Sequence, residues 1–525
     1  MIKLYNYQQK VVDETRDGLK KGEKGVLIVA PTGAGKSVIL SEIARLGKEA
    51  MRRVMVLTDR AELLLSNGGT MQDFGLFPTM ITSRQKYVYP DADVYLAMSQ
   101  TLKRRMDQEV FQELCASVDL LIIDEAHKSE FDFFFQDKIK NIDGKTVKVT
   151  DLNKFFKPSC KIVGLTATPV RRGKQMQLAD IYNRTVEAPT VKEIISMGKL
   201  SPCVEYVCES QSMDGVSTRS KGGELDYDEA QQFDVMNKSK VYGGIIKNWQ
   251  KYTSDTITIA FCVNIDHAAR MAKEFCEAGI SAKFLCSKVP AGYEEFTGER
   301  DAIIEQWKSG EFQVLCNANI FTTGFNYPAI ETVVFARHTL SSTLWLQAIG
   351  RGSRVCEGKA FFSLLDFGNN IERLQAYDAD RVWSLTHKES KAGEAKYREC
   401  VQCGAYIPAS SRKCTYCGYE RPLTEKETVE IELVRYSKDS LSYEEMYKRL
   451  DWNNPRMIEM VRNARGYKVS WVIRTIVNEK SLKTYGAKYR AIFTYAQHRQ
   501  KMKLASVKNP KYWTTKQLKM YGVEK

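Results

Sequence analysis

Residues 26–37, VLIVAPTGAGKS, constrain this chain more than any other stretch. The apolar run Val26 to Val29 reads as a buried strand, and SVILSEIARLGKEA reads as an amphipathic helix starting at Ser37. Between them, the loop from Ala30 to Gly35 closes on Gly-Lys-Ser. A strand, a glycine loop and a helix N-terminus make a phosphate cradle, because loop amides and the helix dipole present positive partial charge to an anion. Thr32, Gly33, Ala34 and Gly35 would line that cradle. The Lys36 ammonium would reach the β- and γ-phosphates of ATP, and the Ser37 hydroxyl would ligate Mg²⁺. Ala30 stands where the usual pattern has its first glycine.

Strand and helix signals alternate downstream. Arg53-VMVLT, Asp93-VYLAM, Leu120-LIID and Lys161-IVGL read as strands of a parallel sheet, whose C-terminal loops are the expected places for function. Asp124 and Glu125 sit at such a strand end, where one carboxylate can hold Mg²⁺ while the other orients and deprotonates the attacking water. Residues 128–160 form an insertion rich in Phe and Lys, read either as a base-stacking surface or, better, as an aromatic mini-core. Residues 204–240 are polar and contain glycine, so they read as a linker or flexible excursion. A second α/β unit follows, with strands at Thr256-ITIAFCV, Phe312-QVLCNA and Glu331-TVVFAR and no second phosphate loop. Two similar lobes with one cradle imply a nucleotide held between them.

Cys400-x2-Cys403 and Cys414-x2-Cys417, each pair followed directly by glycine, have the spacing of two knuckles that enclose Zn²⁺ tetrahedrally. The other nine of the 13 cysteines are isolated, which fits a reducing cytoplasm better than a disulfide scaffold. The net charge of +14 is concentrated: residues 461–525 hold 16 Lys and Arg against two acids, Glu479 and Glu524, and the rest of the chain is balanced. Tyr467, Trp471, Tyr485, Tyr489, Phe493, Tyr495, Tyr512, Trp513 and Tyr521 are interleaved with those cations. That pattern suits nucleic acid, with backbone charge and base stacking combined. The first residues lack the apolar core of a secretory signal, and no apolar run is long enough to span a membrane, so neither is expected.

Taken together, these motifs resemble superfamily 2 helicases and translocases over roughly residues 1–385. Ala30-PTGAGKS looks like motif I, Asp124-EAH motif II, Gly164-LTATP motif III, Phe321-TTGFN motif V and Gln347-AIGRGSR motif VI. The closer resemblance is to the RadD-type DNA helicases of bacteria and their phage-encoded relatives. It rests on the Leu-x-x-Tyr-Gln-Gln start at Leu4, the Q-x-x-G-R-G-x-R form of motif VI and the C-terminal zinc ribbon. The resemblance implies two tandem RecA-like domains with ATP in the cleft, and Gln8 reading adenine. It implies Gln347, Arg351 and Arg354 as second-lobe groups at the γ-phosphate, and His127, Thr166 and Thr168 as coupling residues. Motif V departs from the usual Gly-Phe-Asp: Gly324 and Asn326 would meet the ribose without a charge. Arg60, Ser99, Gln100, Thr322 and Thr323 are the expected contacts to a nucleic-acid backbone.

The expected organisation is a RecA-like domain at 1–203, a linker or accessory segment at 204–240, a second RecA-like domain at 241–390, a four-cysteine zinc ribbon at 396–422 and a basic, mainly helical nucleic-acid-binding domain at 423–525. The expected function is an ATP-dependent DNA helicase or translocase acting in recombination, repair or replication on single-stranded or branched DNA. A single-strand-binding or recombination protein is a candidate partner, and the cytoplasm, a host's if phage-encoded, the expected location. The alternatives are an RNA-directed DEAH-type helicase and the motor subunit of a restriction-type complex.

Overall fold

The structure is a computed structural model and describes residues 2–85, 88–89, 91–142, 145–171, 176–208, 211–221, 224–321, 325–386, 397–399, 402, 406–408, 417–419, 431–436, 443–479 and 481–501. The first lobe runs in order through α1 (Asn6–Lys20), β1 (Gly25–Val29), α2 (Lys36–Glu49), β2 (Val54–Thr58), α3 (Ala61–Asp73), β3 (Thr79–Ile81), β4 (Val94–Met98), α4 (Ser99–Arg105), α5 (Glu109–Ser117) and β5 (Leu120–Asp124). A 3-10 turn (Ser129–Phe134) and the hairpin β6 (Gln136–Ile142) and β7 (Lys145–Thr150) come next, then β8 (Lys161–Thr166), β9 (Arg184–Glu187) and α6 (Val191–Ser196). Seven strands form a parallel sheet in the order β3-β4-β2-β5-β8-β1-β9.

The central strands are apolar throughout because both faces are covered. Successive residues alternate between two cores. Val26, Ile28, Val54, Val56 and Ile122 meet α1, α2 and α3 through Val11, Ile39, Ile43 and Leu64. Leu27, Met55, Leu57, Leu121 and Ile123 meet α4 and α5 through Leu102, Phe111 and Leu114. The aromatic insertion is mini-core in the main: Phe131, Phe134, Phe135 and Phe156 are buried in that second cluster.

The second lobe comprises β10 (Cys203–Val207), β11 (Thr218–Lys221), β12 (Glu224–Tyr227), α7 (Glu229–Met236), α8 (Ser239–Thr253), β13 (Thr258–Phe261), α9 (Ile265–Glu277), β14 (Ala282–Leu285), α10 (Arg300–Lys308), β15 (Val314–Asn317), β16 (Thr332–Phe335), α11 (Ser342–Ile349), β17 (Phe362–Asp366) and α12 (Asn370–Leu374). After it come β18 (Tyr397–Glu399), β19 (Tyr406–Pro408), β20 (Val434–Arg435), α13 (Tyr443–Lys448), α14 (Pro455–Ala464), α15 (Val469–Asn478) and α16 (Tyr485–Lys501). The second sheet is ordered β14-β15-β13-β16-β17-β10-β20, parallel except for the antiparallel β10–β20 edge.

Residues 204–240, expected as a linker or accessory segment, begin inside the second lobe: β10 sits in the second sheet with Val204 and Tyr206 in its core. The β11–β12 hairpin is pinned by Asp226, which accepts from Arg337, Thr339 and Leu340. The described part of the basic C-terminal region packs on the second lobe. Met446, Leu450, Trp452, Ile458, Val461, Val472, Ile476, Ile492 and Tyr495 share one core with Val241, Ile245 and Trp249 of α8. The buried Glu459 ties these helices together, accepting from Arg462, Tyr495 and Arg499. Burial pushes its carboxyl up, but those partners more than offset it and hold it below the usual range. Residues 502–525 lie outside the described part, as do Tyr512, Trp513 and Tyr521 of the aromatic pattern. Among the described residues no helix is long and apolar enough to cross a membrane.

Removing residues 443–525 therefore strips the cover from α8. The remainder is expected to aggregate, or to melt at least ~10 °C below the full chain in a thermal shift assay. An unchanged melting temperature would mean that these helices fold as an independent unit.

Candidate active site

The phosphate loop leaves β1 at Ala30, whose N–H donates to Thr166 O at the end of β8 (2.9 Å). Gly33 and Gly35 take φ of +88° and +83°. A Cβ on Gly35 would lie 2.3 Å from Gln8 Nε2, and one on Gly33 would lie 2.7 Å from Leu200 and 3.0 Å from Ser353 Oγ of the second lobe. Both positions need glycine for backbone conformation and for space. Lys36 opens α2, with Nζ 3.5 Å from Ala30 O, and Ser37 is half-buried beside it. Gln8 is buried against the loop: Nε2 donates to Ala34 O (3.1 Å), and Oε1 accepts from Tyr5 N (3.0 Å). Its amide thus fixes the loop to α1.

Asp124 ends β5. Oδ2 accepts from Asn67 Nδ2 of α3 (2.9 Å), and Oδ1 accepts from Glu125 N (3.0 Å). Burial first, and the neighbouring Glu125 charge second, push the Asp124 carboxyl up to about 6, with Asn67 and Lys36 pulling the other way. Glu125 adopts φ +51°, in the left-handed region. Arg171 holds the turn behind it, donating to the carbonyls of Ala126 (3.0 Å), His127 (2.9 Å) and Lys128 (3.0 Å) and to Asp132 (2.6 Å). His127 Nδ1 lies 3.5 Å from Glu125 Oε2 and 2.8 Å from Thr166 Oγ1, which also accepts from Thr168 N (3.0 Å).

The second lobe approaches through α11 and the turn after it. Gln347 is buried on α11 with Nε2 unpartnered. Arg351 and Arg354 both donate to Phe325 O. Burial lowers the Arg351 guanidinium to about 9, with Arg354 adding to the shift and Glu125 opposing it, so Arg351 lies within the field of the first lobe's carboxylate. Burial lowers Arg354 to about 10. The turn rests on the phosphate loop itself: a Cβ on Gly350 would come 2.2 Å from Thr32 Cγ2. Lys359 braces it, donating to Pro328 O (2.5 Å), Ile330 O (3.1 Å) and Gly352 O (3.0 Å).

The donor set fits a metal-bound triphosphate. Positive-φ glycines open the loop, a lysine and a hydroxyl begin α2, a buried acid stands opposite, and two arginines arrive from the other lobe. Mg²⁺ would be held by Ser37 and Asp124. Asn67, Arg171 and Lys359 were not legible in the sequence, because each acts through a partner distant along the chain.

The expected strand contacts fare unevenly. Ser99 is only 1% exposed at the start of α4. Gln100 is exposed, and Arg60 is half-buried at the start of α3. Asn326 is exposed beside the Phe325 carbonyl that takes both arginines, while Thr322, Thr323 and Gly324 lie outside the described residues. So do Cys400, Cys403 and Cys414 of the zinc pattern, whereas Cys417 is described and exposed. Glu399 pairs with Tyr406, so β18 and β19 run antiparallel.

Comparison with known proteins agrees with this architecture. Residues 1–171 match the family model of the type III restriction enzyme res subunit, and residues 244–356 match the helicase conserved C-terminal domain. A 51.5 kDa protein of a Lactococcus phage is 26% identical over 428 residues, covering 79% of this chain and 83% of that protein. IRC3, a proposed ATP-dependent helicase of Saccharomyces cerevisiae, is 26% identical over 382 residues, covering 69% of this chain; the match spans about half (51%) of the yeast protein. A solved fragment of a proposed HsdR subunit of a type I restriction enzyme from Vibrio vulnificus superposes with a TM-score of 0.52 at 21% identity, covering 71% of this chain and 65% of that one. That likeness is one of fold, two α/β lobes in tandem.

The raised Asp124 value carries a pH prediction. The fold favours the protonated acid, so the stability this group contributes is full below its ordinary 3.8 and is lost as pH rises through about 6. At neutral pH the buried charge costs roughly 3 kcal/mol. With metal and nucleotide removed by chelation and dialysis, Asp124→Asn is expected to melt above the native chain at pH 8, the gap closing as pH falls from 6 towards 4. A variant that melts lower at pH 8 would show the charge to be well compensated.

Proposed function

We infer that this chain, which carries the two catalytic lobes of an ATP-hydrolysing superfamily 2 helicase, is a RadD-type motor that moves on or remodels DNA. The observation that carries the reading is the seating of the arginine-bearing turn on the phosphate loop: Gly350 against Thr32, Ser353 against Gly33, and Arg351 within the field of Glu125.

In this reading Lys36 and the loop amides bind the β- and γ-phosphates, and Glu125 orients the attacking water and takes its proton. Arg351 and Arg354 stabilise charge developing on the transferred phosphoryl group, with Gln347 beside them. When bound, Mg²⁺ supplies charge neutralisation at the phosphate oxygens. His127, Thr166 and Thr168 transmit the state of the site. Because both lobes contribute groups to one anion, its binding draws them together and its cleavage lets them part. Arg60, Gln100, Thr322 and Thr323 hold the strand backbone, without reading its sequence. Cys400, Cys403, Cys414 and Cys417 take a structural Zn²⁺, a reading supported by the spacing of the two Cys-x2-Cys pairs.

A second reading, the motor of a restriction-type complex, is favoured by the family model matched over residues 1–171. Co-purification with a methyltransferase, or cleavage of DNA by the complex, would establish it.

Lys36→Ala is expected to abolish ATP hydrolysis while DNA binding persists, and Arg351→Ala to lower kcat by about 10³-fold. Turnover is expected to rise with single-stranded or forked DNA and not with RNA of equal length. Stimulation by RNA alone would move the assignment to an RNA-directed enzyme, and undiminished turnover in Lys36→Ala would remove the mechanism. The purified chain is expected to carry about one zinc ion, measured by atomic absorption, and to lose it when Cys400 and Cys403 are both changed to Ser. Retention of zinc in that variant would place the metal elsewhere.

A further inference from the structure

A line of buried side chains leads out of the carboxylate pair and crosses into the other lobe. Glu125 faces His127 (3.5 Å), and His127 faces the Thr166 hydroxyl (2.8 Å). Thr166 Oγ1 accepts from the amide of Thr168 (3.0 Å). The Thr168 hydroxyl is then 3.0 Å from the hydroxyl of Thr343, 175 positions away in sequence and on α11. None of these residues is more than 6% exposed.

Thr343 lies in the first turn of α11, a turn also fixed by Ser341 Oγ, which accepts from Leu344 N (3.0 Å). Gln347 follows one turn later on the same face, and Arg351 one further turn along, just past the helix end. A displacement at Thr343 is therefore carried to both groups that approach the phosphate site. Threonine is β-branched, so each hydroxyl is tied to a stiff χ1 rather than free to follow its partner. The ion pairs that also join the lobes, Arg300–Glu62 and Lys192–Asp380, are exposed and correspondingly weak.

We propose that Thr343 is a positioning residue that couples the Glu125 side of the ATP site to the arginine-bearing helix through its hydroxyl contact with Thr168. Thr343 touches neither substrate nor metal in this scheme. It sets where α11 stands when Glu125 and His127 are in their working positions, and by reciprocity the stance of α11 is felt at Glu125. The proposal rests on the function inferred above.

A double-mutant cycle tests it, because spatial adjacency alone does not establish coupling. The full chain is prepared as Thr343→Val, Thr343→Ser, Thr168→Val and the Thr168→Val/Thr343→Val double variant. For each, kcat and KM for ATP are measured with and without saturating single-stranded DNA. Thr343→Val is expected to lower the DNA-stimulated kcat about tenfold with KM changed by less than about twofold, the scale set by one buried hydroxyl contact. Thr343→Ser, which keeps the hydroxyl, is expected to stay within about twofold of the native rate, and the double variant to be no slower than Thr168→Val alone. If Thr343→Val proves unfolded by its melting curve, Thr343→Ala takes its place. A native rate in Thr343→Val, or losses that multiply in the double variant, would overturn the proposal. A native enzyme that no nucleic acid stimulates would instead overturn the motor reading, and the same cycle on the basal rate would still decide the hydroxyl contact.

Discussion

Asp124 and Arg351 are buried in the cleft and Arg354 is half-buried, and loss of water works against the charge of all three. Asp124 is pushed up to about 6, Arg351 down to about 9 and Arg354 down to about 10, with loss of water as the leading cause in every case. The arginines and the acids lie on opposite lobes, and Lys36 on the acids' own lobe offsets their charge only in part. A metal-bound triphosphate is the class of group that satisfies both signs together, offering a cation to the carboxylate and phosphate oxygens to the guanidiniums. Two α/β lobes, one phosphate loop and the arginine turn follow from that requirement.

Close approach is what makes the arrangement work, and small residues permit it. Gly33 leaves room for Leu200 and Ser353, and Gly350 leaves room for Thr32. The lobe contact is therefore formed by backbone and methyl groups around the loop, with the long cationic side chains reaching past them. Lys359 holds the Phe325–Ile330 segment to the arginine turn through three carbonyls, so the carbonyl that takes Arg351 and Arg354 and the turn that bears them are kept as one piece.

How much of this was legible depended on the range of each interaction. The strands at Val26, Val54, Leu120 and Lys161 were readable because a sheet covered on both faces writes itself as a local apolar run. The phosphate loop, the acidic pair and the arginine motif were readable for the same reason: their chemistry is compact in sequence. Where the signal was compositional, it did not reveal the packing. CVEYV at Cys203–Val207 became an interior strand of the second lobe although polar, glycine-bearing residues follow it. The cations of residues 461–501 hid a buried apolar stripe, Val461, Val472, Ile476, Ile492 and Tyr495, since the charges of an amphipathic helix sit on the face opposite the one that packs. Asn67, Arg171 and Thr343 left no trace, because their partners are chosen by the fold and lie 57, 39 to 45 and 175 positions away.

The residues that left no trace are also those that hold the working groups in place. Glu125 sits at φ +51°, a left-handed conformation that costs a residue with a Cβ roughly 1–2 kcal/mol. It persists because the Arg171 guanidinium gathers the carbonyls of the next three residues and ties them to Asp132. The turn then leaves Glu125 beside His127, and His127 facing Thr166. A guanidinium with five donors can fix such a turn where a lysine could not, since an ammonium has only three and no fixed plane. The strain at Glu125 and the interlobe hydroxyl contact at Thr168 thus belong to one framework, joined by contacts through His127 and Thr166.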